Sequence, residues 1–275
     1  MRALLLFLFL ATHILAAEPH VGPEKGALIV HGGGRLGKET VQEFIRLAGG
    51  LDGPFVIIPT AEEGEAWGAD YVQKSFLVRA GAKNVSVLHT RDRSVADSPA
   101  FTESLRTAKG VWLGGGRQWR SADAYLGTRV VEELHGVLAR GGVIAGSSAG
   151  ATIQGSYLVR GAPEGNQIMM AKGHEAGFAF LRGVAVDQHV LARHRETDLV
   201  AVVAAHPELL GLGLDEGTAI VVQRDRARVI GASVLFVTDP HFQPAADGKP
   251  YFILKSGEIL DLATRRIAKP EAGEP

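Results

Sequence analysis

Short apolar runs alternate with amphipathic stretches from Ala27 to Ser148, and few folds accommodate that alternation. The runs are ALIVHGGG (from Ala27), PFVIIPTA (from Pro54), NVSVLHT (from Asn84), GVWLGGG (from Gly110) and GVIAGSS (from Gly142). Each is apolar throughout, as a strand is when both faces of its sheet are covered. Between the first two, KETVQEFIRLAGG sets Val41, Phe44, Ile45 and Ala48 at helical spacing and stops on Gly49 and Gly50. DYVQKSFLVRAGA predicts a second helix ending at Gly81, SPAFTESLRTA a short one capped by Ser98, and TRVVEELHGVLARGG another. The alternation predicts a doubly wound, mostly parallel α/β sheet.

From Gly211 the character changes. GLGLDEGTAIVVQRDRARVIGASVLFVTD reads as strands joined by short turns, and YFILKSGEILDL as a hairpin around Lys255-Ser256-Gly257. These strands are expected to extend the same sheet in antiparallel fashion. Residues 18–268 are expected to form a single domain, and 269–275 a disordered tail.

Composition narrows the function classes. The chain has 275 residues, 46% of them hydrophobic, enough for one large core. A net charge of -1 and the lack of a basic run set nucleic-acid binding aside. The N-terminus, MRALLLFLFLATHILAAEP, has Arg2, an apolar run from Ala3 to Ala11, and Leu15-Ala16-Ala17 before Glu18. That is a signal-peptide pattern over residues 1–17, too short to span a bilayer, so the chain is expected to be secreted or periplasmic and free of the membrane after cleavage. The chain has no cysteine, which removes disulfides, a thiol nucleophile and a cysteine-borne lipid anchor. It also has no H-E-x-x-H and no tight histidine cluster, so no metal or other cofactor is expected.

Three glycine-rich turns follow strands: HGGGR, LGGGRQ and AGSSAGA. In a sheet of this kind all three fall on the edge where ligands bind. Gly32-Gly33-Gly34-Arg35-Leu36-Gly37 fits G-x-G-x-x-G, but Pro59-Thr60-Ala61 stand where a dinucleotide site has its acid, and a close backbone turn is the better reading. Gly146-Ser147-Ser148-Ala149-Gly150 fits G-x-S-x-G, which places Ser148 on a sharp strand-to-helix turn with the Ala149 N–H facing an oxyanion. Spacing alone leaves open a small-residue turn without chemistry. A nucleophilic serine needs a base and an orienter. His189 lies at the end of the apolar run Val184-Ala185-Val186, and the acidic pair Asp215-Glu216 follows GLGL, a costly place for a carboxylate without a partner.

Four blocks occur in order: Gly114-Gly115-Gly116-Arg117-Gln118, Gly146 to Ala151, Asp187-Gln188-His189 with Arg193 and Arg195, and Gly213 to Ala219. Together they resemble the cyanophycinase and peptidase E family of serine peptidases, from near Ala27 to at least Val222. The resemblance implies a flavodoxin-like fold related to class I glutamine amidotransferases. It implies Ser148 as nucleophile, His189 as general base and Glu216 as the carboxylate that orients it, with Ser147 a tolerated neighbour. The oxyanion donors would be the N–H groups of Ala149, Gly115 and Gly116. Gln118, Asp187, Gln188, Arg193 and Arg195 match substrate-binding positions, and Asp187 would meet a substrate guanidinium. Cyanophycinases cut a poly-aspartate backbone whose side chains carry arginine, releasing β-aspartyl-arginine. Asp198 departs from that branch, which has an arginine there, and so reverses one charge of the implied pocket. The family also implies a homodimer. An aspartyl dipeptidase of the peptidase E type and a non-catalytic binding protein on the same fold are the alternatives.

Overall fold

The computed structural model describes residues 20–242 and 248–269. The expected leader, and all of the expected tail except Lys269, lie outside the described residues. The strands are β1 Ala27–His31, β2 Phe55–Ile58, β3 Val85–Val87, β4 Gly110–Leu113, β5 Val143–Ser147, β6 Gly155–Tyr157 and β7 Leu181–Gln188. Then come β8 Leu210–Leu214, β9 Thr218–Gln223, β10 Arg226–Gly231, β11 Val234–Thr238, β12 Phe252–Lys255, β13 Ile259–Asp261 and β14 Arg266–Ala268.

They form a nine-stranded sheet, β14-β13-β10-β9-β1-β5-β4-β2-β3, and a five-stranded sheet, β12-β11-β8-β7-β6. The run β1-β5-β4-β2-β3 is wholly parallel, as the alternation predicts. The antiparallel strands β9, β10, β13 and β14 extend it beyond β1. The second sheet corrects the expectation that all the later strands join the first. The chain passes between sheets at Ser148 to Gln154, at Asp215 to Gly217, at Ala232 and Ser233, and at Ser256 to Glu258. The expected hairpin at Lys255-Ser256-Gly257 is one of these passages, because β12 pairs with β11 and β13 with β10. A tight glycine turn serves equally to return a strand to its neighbour or to hand it to another layer. Which occurs depends on what covers the apolar face.

That cover is visible in the core. On β1, Leu28 and Val30 share a buried cluster with Val184, Val186, Leu212 and Leu235 of the second sheet. Ala27 and Ile29 face the other way, into a cluster with Phe44, Phe55 and Trp112. Alternate side chains of one strand thus feed two separate layers.

The helices Lys38–Leu47 and Arg129–Ala139 match the periodicity. The second predicted helix is split into Ala69–Gln73 and Phe76–Arg79, since Ser75 Oγ accepts the Val78 N–H and starts a new helix. Ser98 does not cap the third. Its Oγ takes the Phe101 N–H, and the helix begins later, over Glu103–Thr107. Among the described residues no helix is long and apolar enough to cross a membrane.

Phe44 is fully buried, its ring 5.7 Å from that of Phe55 and 6.0 Å from that of Trp112. Phe44→Ala is expected to cost about 3–5 kcal/mol, seen as a lower urea midpoint followed by tryptophan fluorescence.

Candidate active site

β1, β5 and β4 are adjacent and parallel, so their carboxyl ends bring the three glycine-rich turns together. At the end of β5 the chain reverses into the short helix Ala149–Thr152. Ser148 sits at the corner with φ 55° and ψ -112°, a strained conformation for a residue with a Cβ. The flanking glycines are required by space. A Cβ on Gly146 would stand 2.1 Å from Gly150 O, and one on Gly150 2.2 Å from Leu113 O. The Ser148 N–H is tied to His31 O at 3.0 Å. This is the sharp strand-to-helix turn that G-x-S-x-G predicts.

His189 follows β7 with φ 53°, and its N–H donates to Gly32 O at 2.9 Å. Its Nε2 lies 2.9 Å from Ser148 Oγ, and its Nδ1 lies 2.5 Å from Glu216 Oε1. Glu216 accepts from Nδ1–H, which leaves Nε2 free to accept the Ser148 hydroxyl proton. Glu216 stands at the passage from β8 to β9, so the switch of sheets delivers the carboxylate. Asp215 beside it has a different task. Its Oδ1 accepts the Leu191 and Ala192 N–H groups, and its Oδ2 accepts the Ser233 hydroxyl, which fixes the turn after His189.

The first glycine turn shapes the imidazole's seat. A Cβ on Gly33 would lie 2.2 Å from His189 Cε1, and one on Gly34 2.6 Å from Glu216 Oε2. G-x-G-x-x-G here makes room for a histidine and a glutamate. Gly115 packs against the elbow, 3.6 Å separating its would-be Cβ from Ser148 Cβ, and Gly116 takes φ +123° beside Ala61 O. Of the expected oxyanion donors, Ala149 follows the serine directly and Gly115 borders it, whereas the contacts of Gly116 are with Ala61 and Glu62.

Burial holds the His189 imidazole below its ordinary pKa, its bond to Glu216 opposes that, and the Arg193 charge adds to the lowering. His31 is fully buried and is pushed down to about 4, by burial first and then by the His189 charge, with Glu216 acting the other way. Nothing in the sequence marks His31 beyond its place at the end of β1, before the glycines.

The substrate-binding positions read from the sequence separate into two groups. Arg193 is exposed, and among the described residues its side chain makes no ion pair. Gln118, Asp187, Gln188 and Arg195 are buried. Gln118 Nε2 donates to Val159 O, and Arg195 Nη1 to Gln188 O. Asp187 is not open to a substrate guanidinium, because Arg160 already supplies one, Nε to Oδ1 and Nη2 to Oδ2, both at 2.9 Å. The same Arg160 Nη2 reaches Asp198 Oδ2 at 2.5 Å. The carboxylate at Asp198 is thus matched by a buried arginine that sequence reading passed over. Arg160 lies far from these residues in sequence and in no recognisable motif.

A serine on an elbow, an imidazole on its Oγ and a carboxylate behind the imidazole define a serine-type hydrolase on an α/β sheet. The model of peptidase family S51 matches residues 28–230, and the chain belongs to that family. The cyanophycinase of Geminocystis herdmanii is 34% identical over 207 residues, 74% of this chain and 75% of that protein. The cyanophycinase of Trichormus variabilis is 34% identical over 224 residues, 78% of this chain and 74% of its own. Among solved structures, a peptidase from an acI-B1 actinobacterium superposes with a TM-score of 0.66 at 22% identity, covering 87% of this chain and 98% of that one. A putative peptidase E from Listeria monocytogenes gives 0.54 at 16% identity, covering 76% and 99%. These two carry the fold, the expected flavodoxin-like α/β class. The enzyme is a serine-type peptidase.

A base must be neutral to accept a proton, and the lowered pKa of His189 keeps it neutral further into acid. The rate of Ser148 labelling by a fluorophosphonate is expected to fall on acidification through one protonation centred below pH ~6.5, the ordinary histidine value. Gly33→Ala is expected to abolish labelling in a protein that still folds, as judged by circular dichroism.

Proposed function

We propose that the chain is an exported serine peptidase that hydrolyses aspartyl or β-aspartyl peptide bonds through an acyl-enzyme. The chain of bonds from Ser148 Oγ through His189 to Glu216 carries the reading. Ser148 Oγ attacks the scissile carbonyl while His189 Nε2 takes its proton. The charge that forms on the carbonyl oxygen is met by the Ala149 N–H and by Gly115 or Gly116. Each such donor is worth roughly 3 kcal/mol. Glu216 holds the imidazole in one tautomer and steadies the imidazolium. His189 then gives the proton to the leaving amine, and a water activated by the same ring hydrolyses the ester and restores Ser148.

Arg193 supports an anionic group on the substrate. It is exposed, close enough to lower the His189 pKa, and without an ion pair among the described residues. A free aspartyl carboxylate suits a guanidinium in that place. Cyanophycinase-like release of β-aspartyl-arginine is the finer form of the proposal, and the names of the relatives support it. The pairing of Asp187 with Arg160 favours a form in which the substrate's own guanidinium is not held by Asp187. Export rests on the N-terminal sequence pattern.

The test is product release by residues 18–275 from cyanophycin, and from β-aspartyl and N-terminal-aspartyl dipeptides, beside Ser148→Ala. Release by the wild type and not by Ser148→Ala is the expected result. Equal release by both would sink the mechanism. Arg193→Ala is expected to raise KM about 10- to 100-fold with kcat little changed, the loss of one charge-assisted contact of ~1.5–3 kcal/mol.

A further inference from the structure

Beneath the elbow lies a second serine–histidine contact that the acyl-transfer steps do not use. His31 ends β1 and is wholly buried. Its Nδ1 is 3.1 Å from Ser147 Oγ and accepts the Gly33 N–H at 3.2 Å. An amide N–H can only donate, so Nδ1 carries no proton and the ring's proton is on Nε2. Among the described residues Nε2 has no hydrogen-bond partner. A buried donor left without an acceptor costs stability, and an apolar side chain at this place would avoid that cost. The contacts that the ring makes are those of Nδ1.

What Nδ1 holds is the loop that seats the relay. Gly32 O takes the His189 N–H at 2.9 Å, and Gly33 O takes the Gly217 N–H at 3.0 Å, next to Glu216. The His189 ring lies against Gly33, where a Cβ would stand 2.2 Å from Cε1. The backbone of His31 itself accepts the Ser148 N–H at 3.0 Å. One residue thus touches the nucleophile through its carbonyl and the seat of the base through its ring.

We propose that His31, assisted by Ser147, is a positioning residue: its Nδ1 pins the Gly33 amide and thereby holds the His189 imidazole within hydrogen-bonding reach of Ser148 Oγ. This rests on the Ser148–His189–Glu216 reading given above. A proton on Nδ1 would displace the Gly33 N–H and set a second cation beside His189. Burial and the His189 charge keep that proton off, against the pull of Glu216. Ser147 is then not a tolerated neighbour of the nucleophile. Its hydroxyl fixes the plane of the His31 ring.

The test follows labelling of Ser148 by a small fluorophosphonate in residues 18–275, with the maximal rate and the half-saturating concentration measured separately. This needs no knowledge of the natural substrate. His31→Asn puts an amide oxygen where Nδ1 stands, whereas His31→Gln puts it near Nε2. His31→Gln is expected to lower the maximal rate at least about tenfold with half-saturation unchanged, as a small misplacement of a reacting pair does. His31→Asn is expected to stay within about threefold of wild type, and Ser147→Ala to fall about two- to fivefold, since one of the two donors to Nδ1 remains. Equal rates in wild type, Asn and Gln variants would overturn the proposal, as would an equal loss in Asn and Gln. If the Gln variant does not fold, the other two decide. A near-normal Asn variant with a slowed Ser147→Ala supports the clamp, and an unslowed Ser147→Ala overturns it. Failure of the wild type itself to label at Ser148 would sink the relay reading and the clamp with it.

Discussion

The His189 ring is packed against bare backbone, and the geometry of the site depends on that contact. An imidazole that must accept a proton at one nitrogen and donate at the other needs a fixed plane and a fixed distance to both partners. Here the plane is set by Gly33, where even a methyl group would collide with Cε1. The distance is set by the bond from the His189 N–H to Gly32 O and by the strained corner at Ser148. Gly150 lets that corner approach β4 closely, Gly146 lets the following helix fold back onto β5, and Gly34 clears the glutamate. The glycines at the three strand ends thus serve one purpose, which is to let backbone stand where side chains would hold the reacting groups apart.

The two-sheet architecture explains how the parts meet. Serine comes from the central parallel strands, histidine from the end of β7 in the second sheet, and glutamate from the chain's return to the first sheet. The passage from β8 to β9 is only Asp215 to Gly217, so little freedom remains where Glu216 is delivered. Asp215 shows the economy of that turn. It satisfies two amides after His189 and one hydroxyl before β11, while its neighbour Glu216 stays half in solvent and faces the imidazole.

A buried charge network frames the other side. Arg160, Asp187, Asp198 and Arg195 share partners, with Arg160 and Asp187 each only 1% exposed. Pairs this deep are poor sources of net stability but costly to break, because the survivor is left as a lone buried charge. Their effect is to match the Asp187 carboxylate internally, two residues before His189. Arg193, close by in the chain, is exposed and makes no ion pair among the described residues.

Much of this was legible in the residues. Apolar runs of strand length alternating with helical periods determine a parallel sheet, because neither element can bury its apolar surface alone. The sharp corner was legible too, since Gly146 and Gly150 bracket Ser148 at a strand end, while its chemistry was not legible from spacing alone. The pairing of Ser148 with His189 and Glu216 is implied by family resemblance and not by spacing, for the three are far apart in the chain. Three features were settled only in three dimensions. The later strands divide between two sheets, because identical turns serve a hairpin and a change of layer, and only the available cover distinguishes them. Asp187 faces Arg160 and not solvent, because a residue type does not say whether its charge is already matched. His31 and Ser147 meet through parallel register across β1 and β5, where His31 lies opposite Ser147. Local sequence specifies elements and turns through short-range sterics, whereas the pairing of buried polar groups depends on which elements become neighbours.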